Sequence, residues 1–298
     1  MRHRLRRTTP RLVFGLGLAL FALPWLPTPA AAQGELVWLK IDFPPFYIAE
    51  GPRRGQGIGD EIVDLLAERL EGYEHQSRVA SPDRIFKELE QGHGACSVAY
   101  IKTEERERVM LYSIPDMILP PNGITIRRDL LDRFGGGGPV SLERLLGDSS
   151  LKLGVAAGRA YGPTLDPLLE RLGGSQVHAR SGDDIYRSLF QMLVRKRLDY
   201  VLGYPYEANF VAQSLGEAGT IVNLPLTETA AIYTLAHVVC PRNDWGRKVI
   251  GEIDEILRRE RPTERYRRIF ERWLDSAQLP AYRSAYDETF LTTTRTDD

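Results

Sequence analysis

Two kinds of apolar periodicity alternate along this chain, and the alternation runs through twice. Short apolar runs are followed by stretches with apolar residues every three or four positions. The first set predicts a strand over 36–41 and a helix over 59–70, with Ile62, Leu65, Leu66 and Leu70 on one face. A helix over 81–90 follows, in which Ser81 caps, Pro82 takes the first position, and Ile85, Phe86 and Leu89 face inward. A short buried strand over 94–100 closes the set. After a strand over 123–127 and a glycine run over 135–138, the second set begins. It predicts strands over 151–155 and 198–203, and helices over 161–172, 183–194 and 206–214. A long apolar strand over 232–239 and helices over 245–257 and 262–274 complete the pattern, and the polar tail from Ser276 is expected to fray. Repeated strand–helix units of this kind predict an α/β fold, with parallel or mixed sheets covered by helices on both faces and arranged in two lobes. Ligands in such folds sit beyond the carboxyl ends of the strands, which makes the cleft between lobes the expected site.

The chain opens on a leader. Arg2, Arg4, Arg6, Arg7 and Arg11 precede an apolar run over 12–23, which Pro24 and Pro27 break before Ala30-Ala31-Ala32. A basic start, a short apolar run and small residues spaced as A-x-A predict a cleavable signal peptide over 1–32 and export to the periplasm. The first strand of the exported chain then runs directly into Phe43-Pro44-Pro45-Phe46. Two prolines stiffen the turn, so Phe43 and Phe46 can pack on a small molecule at little entropic cost.

Charge excludes some partners. Five of the 39 basic residues lie in the leader, so 34 remain against 40 acidic ones, a net charge of −6. No basic stripe is left to follow a phosphate backbone, and nucleic acid is not an expected partner. Five His and two Cys, without ligand spacing, predict no metal site. Cys96 and Cys240 lie in a chain expected to meet an oxidising compartment, which permits one disulfide or leaves two buried thiols.

Several short motifs, taken in order, resemble the type 2 periplasmic solute-binding proteins, in particular the branch that includes the polar amino-acid binders of ABC importers. They are Phe43-Pro44-Pro45-Phe46, Gly57-Ile58-Gly59-Asp60, Thr103-Glu104-Glu105-Arg106, Tyr112-Ser113-Ile114-Pro115, Leu153-Gly154-Val155-Ala156-Ala157-Gly158 and Arg197-Leu198-Asp199-Tyr200-Val201. The resemblance spans roughly 34–275. It implies one lobe from 33–124 plus 236–275 and a second, inserted lobe from 125–235, joined by hinge strands near 123–126 and 234–237. It also implies that the strands carrying Cys96 and Cys240 are neighbours, so that a disulfide can join them. A monomer that needs no cofactor, takes a small-molecule solute and passes it to the membrane permease of an importer is the function implied.

The same resemblance implies a set of site residues. Arg106 stands where the family pairs a guanidinium with the ligand carboxylate, and Thr103 stands at the start of that helix. Gly158 and Arg159 occupy the first loop of the second lobe. Tyr100, Tyr161, Tyr204 and Tyr206 add aromatic walls, and Glu207 follows close behind the position where amino-acid binders place an acid. The departures shape the expected ligand. Ile101 replaces a hydroxyl residue, Arg159 replaces a Thr, and Tyr204 stands where the acid that neutralises a ligand ammonium is expected. A buried ammonium without its acid is costly. The expected solute is therefore a small polar or carboxylate-bearing molecule rather than an ordinary α-amino acid. Two other functions fit the same scaffold: a periplasmic dehydratase-like enzyme with Glu207 as its acid or base, and a ligand-sensing accessory protein without an importer.

Overall fold

A computed structural model describes residues 34–182, 184–229, 232–274, 276 and 278–294. The predicted signal peptide over 1–32, Asp183 and the last residues of the tail lie outside the described residues. In chain order the first elements are β1 (Glu35–Lys40), α1 (Ile58–Arg69), β2 (Glu74–Val79), α2 (Pro82–Glu90), β3 (Ala95–Tyr100), α3 (Glu104–Glu107) and β4 (Met110–Leu119). Then come β5 (Gly123–Arg127), α4 (Leu142–Leu146), β6 (Leu153–Ala156), α5 (Asp166–Leu172), β7 (Val177–Arg180), α6 (Ile185–Val194), β8 (Tyr200–Gly203), α7 (Pro205–Ser214) and β9 (Ile221–Pro225). The chain ends through β10 (Thr234–Pro241), α8 (Asp244–Glu260), α9 (Glu264–Glu271) and α10 (Leu279–Ala285).

The strands form two five-stranded sheets, ordered β2-β1-β3-β10-β4 and β7-β6-β8-β5-β9. Each contains three parallel strands from consecutive βα units, then a fourth strand that runs opposite to them and pairs antiparallel on both sides, with the edge strand beyond it. The chain passes from the first sheet to the second between β4 and β5, and returns between β9 and β10. Each sheet packs its own apolar core. Trp38, Ile62, Leu66, Val98, Ile114, Val238 and Ile253 belong to the first, and Ile124, Leu153, Tyr200 and Leu224 to the second.

Cys96 on β3 and Cys240 on the neighbouring β10 form a disulfide, with Cα atoms 4.4 Å apart. Both residues are fully buried. The bond ties the returning strand to the first sheet.

Three expectations need correction. The helix predicted to begin at Tyr161 begins at Asp166, because the Asp166 carboxylate accepts from the Tyr161 and Gly162 amides at 2.9 and 3.1 Å and holds them in a turn. The strand Met110–Leu119 was not among the expected elements, and it includes Pro115, which cannot donate to a ladder. It is tolerated because β4 is an edge strand and its register with β10 shifts beside Pro115. Residues 278–294, expected to fray, do not. Tyr282, Tyr286 and Phe290 repeat every four residues and bury themselves in the first core. Arg283 grips Glu271 through two hydrogen bonds of 2.7 and 2.9 Å, and the buried Arg261 donates to the carbonyls of Phe290 and Thr293.

Candidate functional site: a cleft between the two sheets

The carboxyl ends of the parallel strands converge on a cavity of about 420 Å³. Its walls come from both lobes. Ile41, Phe43, Phe46, Tyr47, Tyr100, Ile101 and Arg106 line it from the first, and Ala157, Gly158, Arg159, Tyr204 and Glu207 from the second. Most of this surface is aliphatic or aromatic, with a few charged groups set into it.

The aromatic loop is held from behind by α1. The backbone amides of Ile58 and Gly59 donate to the carbonyls of Pro45 and Phe46 at 2.9 and 2.7 Å. The Asp60 carboxylate accepts from the amides of Ile48 and Gly57 and from Lys40 Nζ, at 3.0, 3.1 and 2.9 Å. A Cβ at Gly57 would stand 2.3 Å from the Phe46 carbonyl oxygen, so only glycine allows this approach. The Gly57-Ile58-Gly59-Asp60 stretch thus acts as the support of the loop that carries Phe43 and Phe46.

Arg106 sits where the lobes meet. Its Nη1 donates to the Ile101 carbonyl at 3.1 Å and its Nη2 reaches the Gly158 carbonyl of the other lobe at 2.9 Å. The guanidinium also lies over the Tyr100 ring, 5.2 Å from its centroid. No carboxylate among the described residues stands within ion-pair distance of it. Gly158 has φ of +72°, a left-handed conformation that favours glycine, while the space beside it would admit a Cβ in ordinary contact with Pro82 and Asp83. Thr103 caps α3 by accepting from the Arg106 amide at 3.3 Å, and it does not line the cavity. It positions Arg106.

At the inner end lies a buried ion pair. Arg159 Nη1 meets Glu207 Oε2 at 3.0 Å, and the side chains are 14% and 0% exposed. The same Oε2 accepts from the Tyr204 amide at 3.1 Å, while Oε1 has no partner among the described residues. Burial pushes the Glu207 carboxyl up and the Arg159 charge holds it back. Arg159, expected as a ligand-binding residue, lines the cavity, but its charge is already met within the protein. Tyr161 does not line the cavity. Its hydroxyl accepts from the Ala156 amide at 2.8 Å and its ring lies under Arg159. Tyr206, expected as a wall, is buried in the first core between Phe46 and Phe270.

Several lining residues were not anticipated. Tyr47 simply continues the aromatic loop. Asp83, Phe86 and Lys87 come from α2, whose periodicity had assigned Phe86 to the core. Beneath the cavity floor the buried Asp116 accepts from the Ala99 amide at 2.9 Å, and burial raises its carboxyl to about 7. No helix among the described residues is long and apolar enough to cross a membrane.

No protein-family model and no curated protein matches the chain in sequence. Solved structures do match it. One is a histidine kinase sensor domain with similarity to periplasmic binding proteins: TM-score 0.64, 19% identity, covering 81% of this chain and 96% of that one. Another is the substrate-binding protein of an amino acid ABC transporter: TM-score 0.61, 14% identity, covering 81% and 99%. A third is an ancestral amino acid-binding protein described as a precursor of cyclohexadienyl dehydratase: TM-score 0.62, 18% identity, covering 81% and 96%. At these identities the likeness establishes the fold, which is the two-lobed fold of type 2 periplasmic binding proteins.

Proposed function

We propose that this protein captures a small anionic solute, with an apolar or aromatic body, in the cleft between its lobes. In this reading the protein works in the periplasm and hands the solute to the permease of an ABC-type importer. Arg106 carries the reading. It is a guanidinium in a largely apolar cleft, whose hydrogen bonds among the described residues go to two carbonyls, positioned at the junction of the lobes. A carboxylate matches its fork and would form stronger, charge-assisted bonds than the carbonyls do. Phe43, Phe46, Tyr47, Tyr100 and Tyr204 would then cover the body of the solute. Closure of two hinged lobes on a ligand follows from two sheets joined by two crossovers. The solved substrate-binding protein of similar fold supports the importer partner.

A catalytic reading has one observation in its favour: Glu207 is buried, its carboxyl is pushed upward, and its Oε1 is unpaired. Its ion pair with Arg159 opposes the acid role, because the pair favours the ionised carboxylate, and it weakens the base role, because the same pairing stabilises the form that would have to take up the proton.

The test is a thermal-shift and calorimetric screen of the purified protein against aliphatic and aromatic carboxylates, keto acids and amino acids. A ligand of the folded state adds about 2.7 kcal/mol at 100 times its Kd. The expected result is a saturable shift with carboxylates that is lost in Arg106→Ala. Failure of every carboxylate would reject the reading, and consumption of the compound during the assay would favour catalysis.

A further inference from the structure

Arg159 is surrounded as a bound cation would be. Its guanidinium carbon lies 4.6 Å from the centroid of the Tyr204 ring, 5.0 Å from that of Phe43 and 5.2 Å from that of Tyr161. The Glu207 carboxylate closes the remaining side at 3.0 Å. Each wall is fixed independently of Arg159. Phe43 meets Tyr186 edge to face at 6.1 Å, the Tyr161 hydroxyl takes the Ala156 amide, Tyr204 stacks on Tyr206 at 5.2 Å, and Glu207 Oε2 holds the Tyr204 amide. Three electron-rich faces and one carboxylate are the general means of binding a guanidinium or alkylammonium group out of water.

We propose that Phe43, Tyr161, Tyr204 and Glu207 form a cation-binding cage, and that its occupant is the chain's own Arg159. Arg159 then acts as a built-in ligand that determines specificity. It keeps cationic head groups out of the inner end of the cleft by occupying their place and by engaging the Glu207 carboxylate that would pair with them. This rests on the cleft being the solute site, and it narrows the solute class: the charge of the solute is read at Arg106, and the group that reaches the inner end is neutral. A neutral hydroxyl or amide N–H there could donate to the unpaired Glu207 Oε1. The cage draws Phe43 from the first lobe and the other three groups from the second, so it is complete only when the lobes meet.

The test empties the cage. Arg159→Ala removes the occupant, and ethylguanidinium, the severed end of the side chain, is the probe at millimolar concentration, with sodium chloride as the ionic control. The expected result is a saturable rise in the thermal midpoint of Arg159→Ala, with an affinity at least ~10-fold above that of the wild type, as a desolvated cation–π contact implies. The double variant Arg159→Ala/Glu207→Gln should lose this gain. A folded Arg159→Ala protein that gains no more than the wild type would overturn the proposal. If that variant does not fold, NMR of the wild-type Arg159 side chain decides, with Arg159→Lys used for assignment. A slowly exchanging, ring-current-shifted Nε–H signal that L-arginine leaves unmoved is expected, and a rapidly exchanging, unshifted signal would reject the cage. Because the probe is not the solute, failure of every carboxylate in the screen leaves this test standing.

Discussion

Arg106 and Gly158 meet across the cleft, the guanidinium Nη2 donating to the glycine carbonyl at 2.9 Å. Arg106 lies beyond β3, the central strand of the first sheet, and Gly158 beyond β6, the neighbour of the central strand of the second. One side chain thus touches both lobes and the space between them. Arg106→Ala is expected to weaken binding of a carboxylate solute roughly 10- to 100-fold, the range for a charge-assisted hydrogen bond. Arg106→Lys should recover part of this, since an ammonium keeps the charge and loses the fork. Calorimetric titration checks both, and unchanged affinity in the alanine variant would remove Arg106 from the site.

Asp116 should leave a signature in the pH dependence of stability. Burial raises its folded-state carboxyl to about 7, opposed by the Ala99 amide and the Arg261 charge, with Tyr47 and Tyr266 nearby. In the unfolded chain it titrates near 4, so between about pH 4 and pH 7 the folded state binds the extra proton. Stability from this group therefore falls as pH rises through that window, by an amount on the order of a few kcal/mol, and is constant above it. Asp116→Asn cannot titrate. Urea unfolding should show wild type losing stability relative to the variant from pH 4 to pH 7, and parallel curves would refute the assignment.

The disulfide closes a long loop, since Cys96 and Cys240 are 144 residues apart. Cross-links of this kind act largely by restricting the unfolded chain. Replacing both cysteines by Ala is expected to cost about 2–5 kcal/mol in denaturant unfolding. Wild type with reductant should approach the variant, and equal midpoints under oxidising and reducing conditions would show that the bond contributes nothing.

The segment beyond Ser276 makes the third core prediction. Tyr282 is 1% exposed and stacks on Phe270 at 5.2 Å. Tyr282→Ala is expected to cost about 3–5 kcal/mol, as for other large aromatic truncations. A loss below about 1 kcal/mol would mean that this segment does not pack on the core in solution.

Some of this architecture was legible in the residue order. Central strands and amphipathic helices stood out because burial on one face forces a period, as in β3, α2 and α8. Edge strands did not. β2 reads Glu74-His75-Gln76-Ser77-Arg78-Val79 and is mostly exposed, so backbone hydrogen bonds to β1 hold it and its side chains carry no pattern. The repeat of Tyr282, Tyr286 and Phe290 was present in the sequence but interrupted by polar residues that looked like a tail. Of the site, the Phe43–Phe46 loop and Arg106 followed from local motifs, and the cavity gathers them with Tyr100, Gly158, Tyr204 and Glu207.

The cage at Arg159 was beyond the reach of sequence. Residue types and spacing determine which segments become strand or helix, because those choices depend on neighbours within a few positions. They do not decide whether a charge remains open to a ligand. Arg159 and Glu207 are 48 residues apart, and either could have faced solvent. Only the folding of α7 against the loop after β6, with Phe43 arriving from the other lobe, buries the two charges together. Burial then makes pairing obligatory, because an isolated charge in that environment costs far more than the pair.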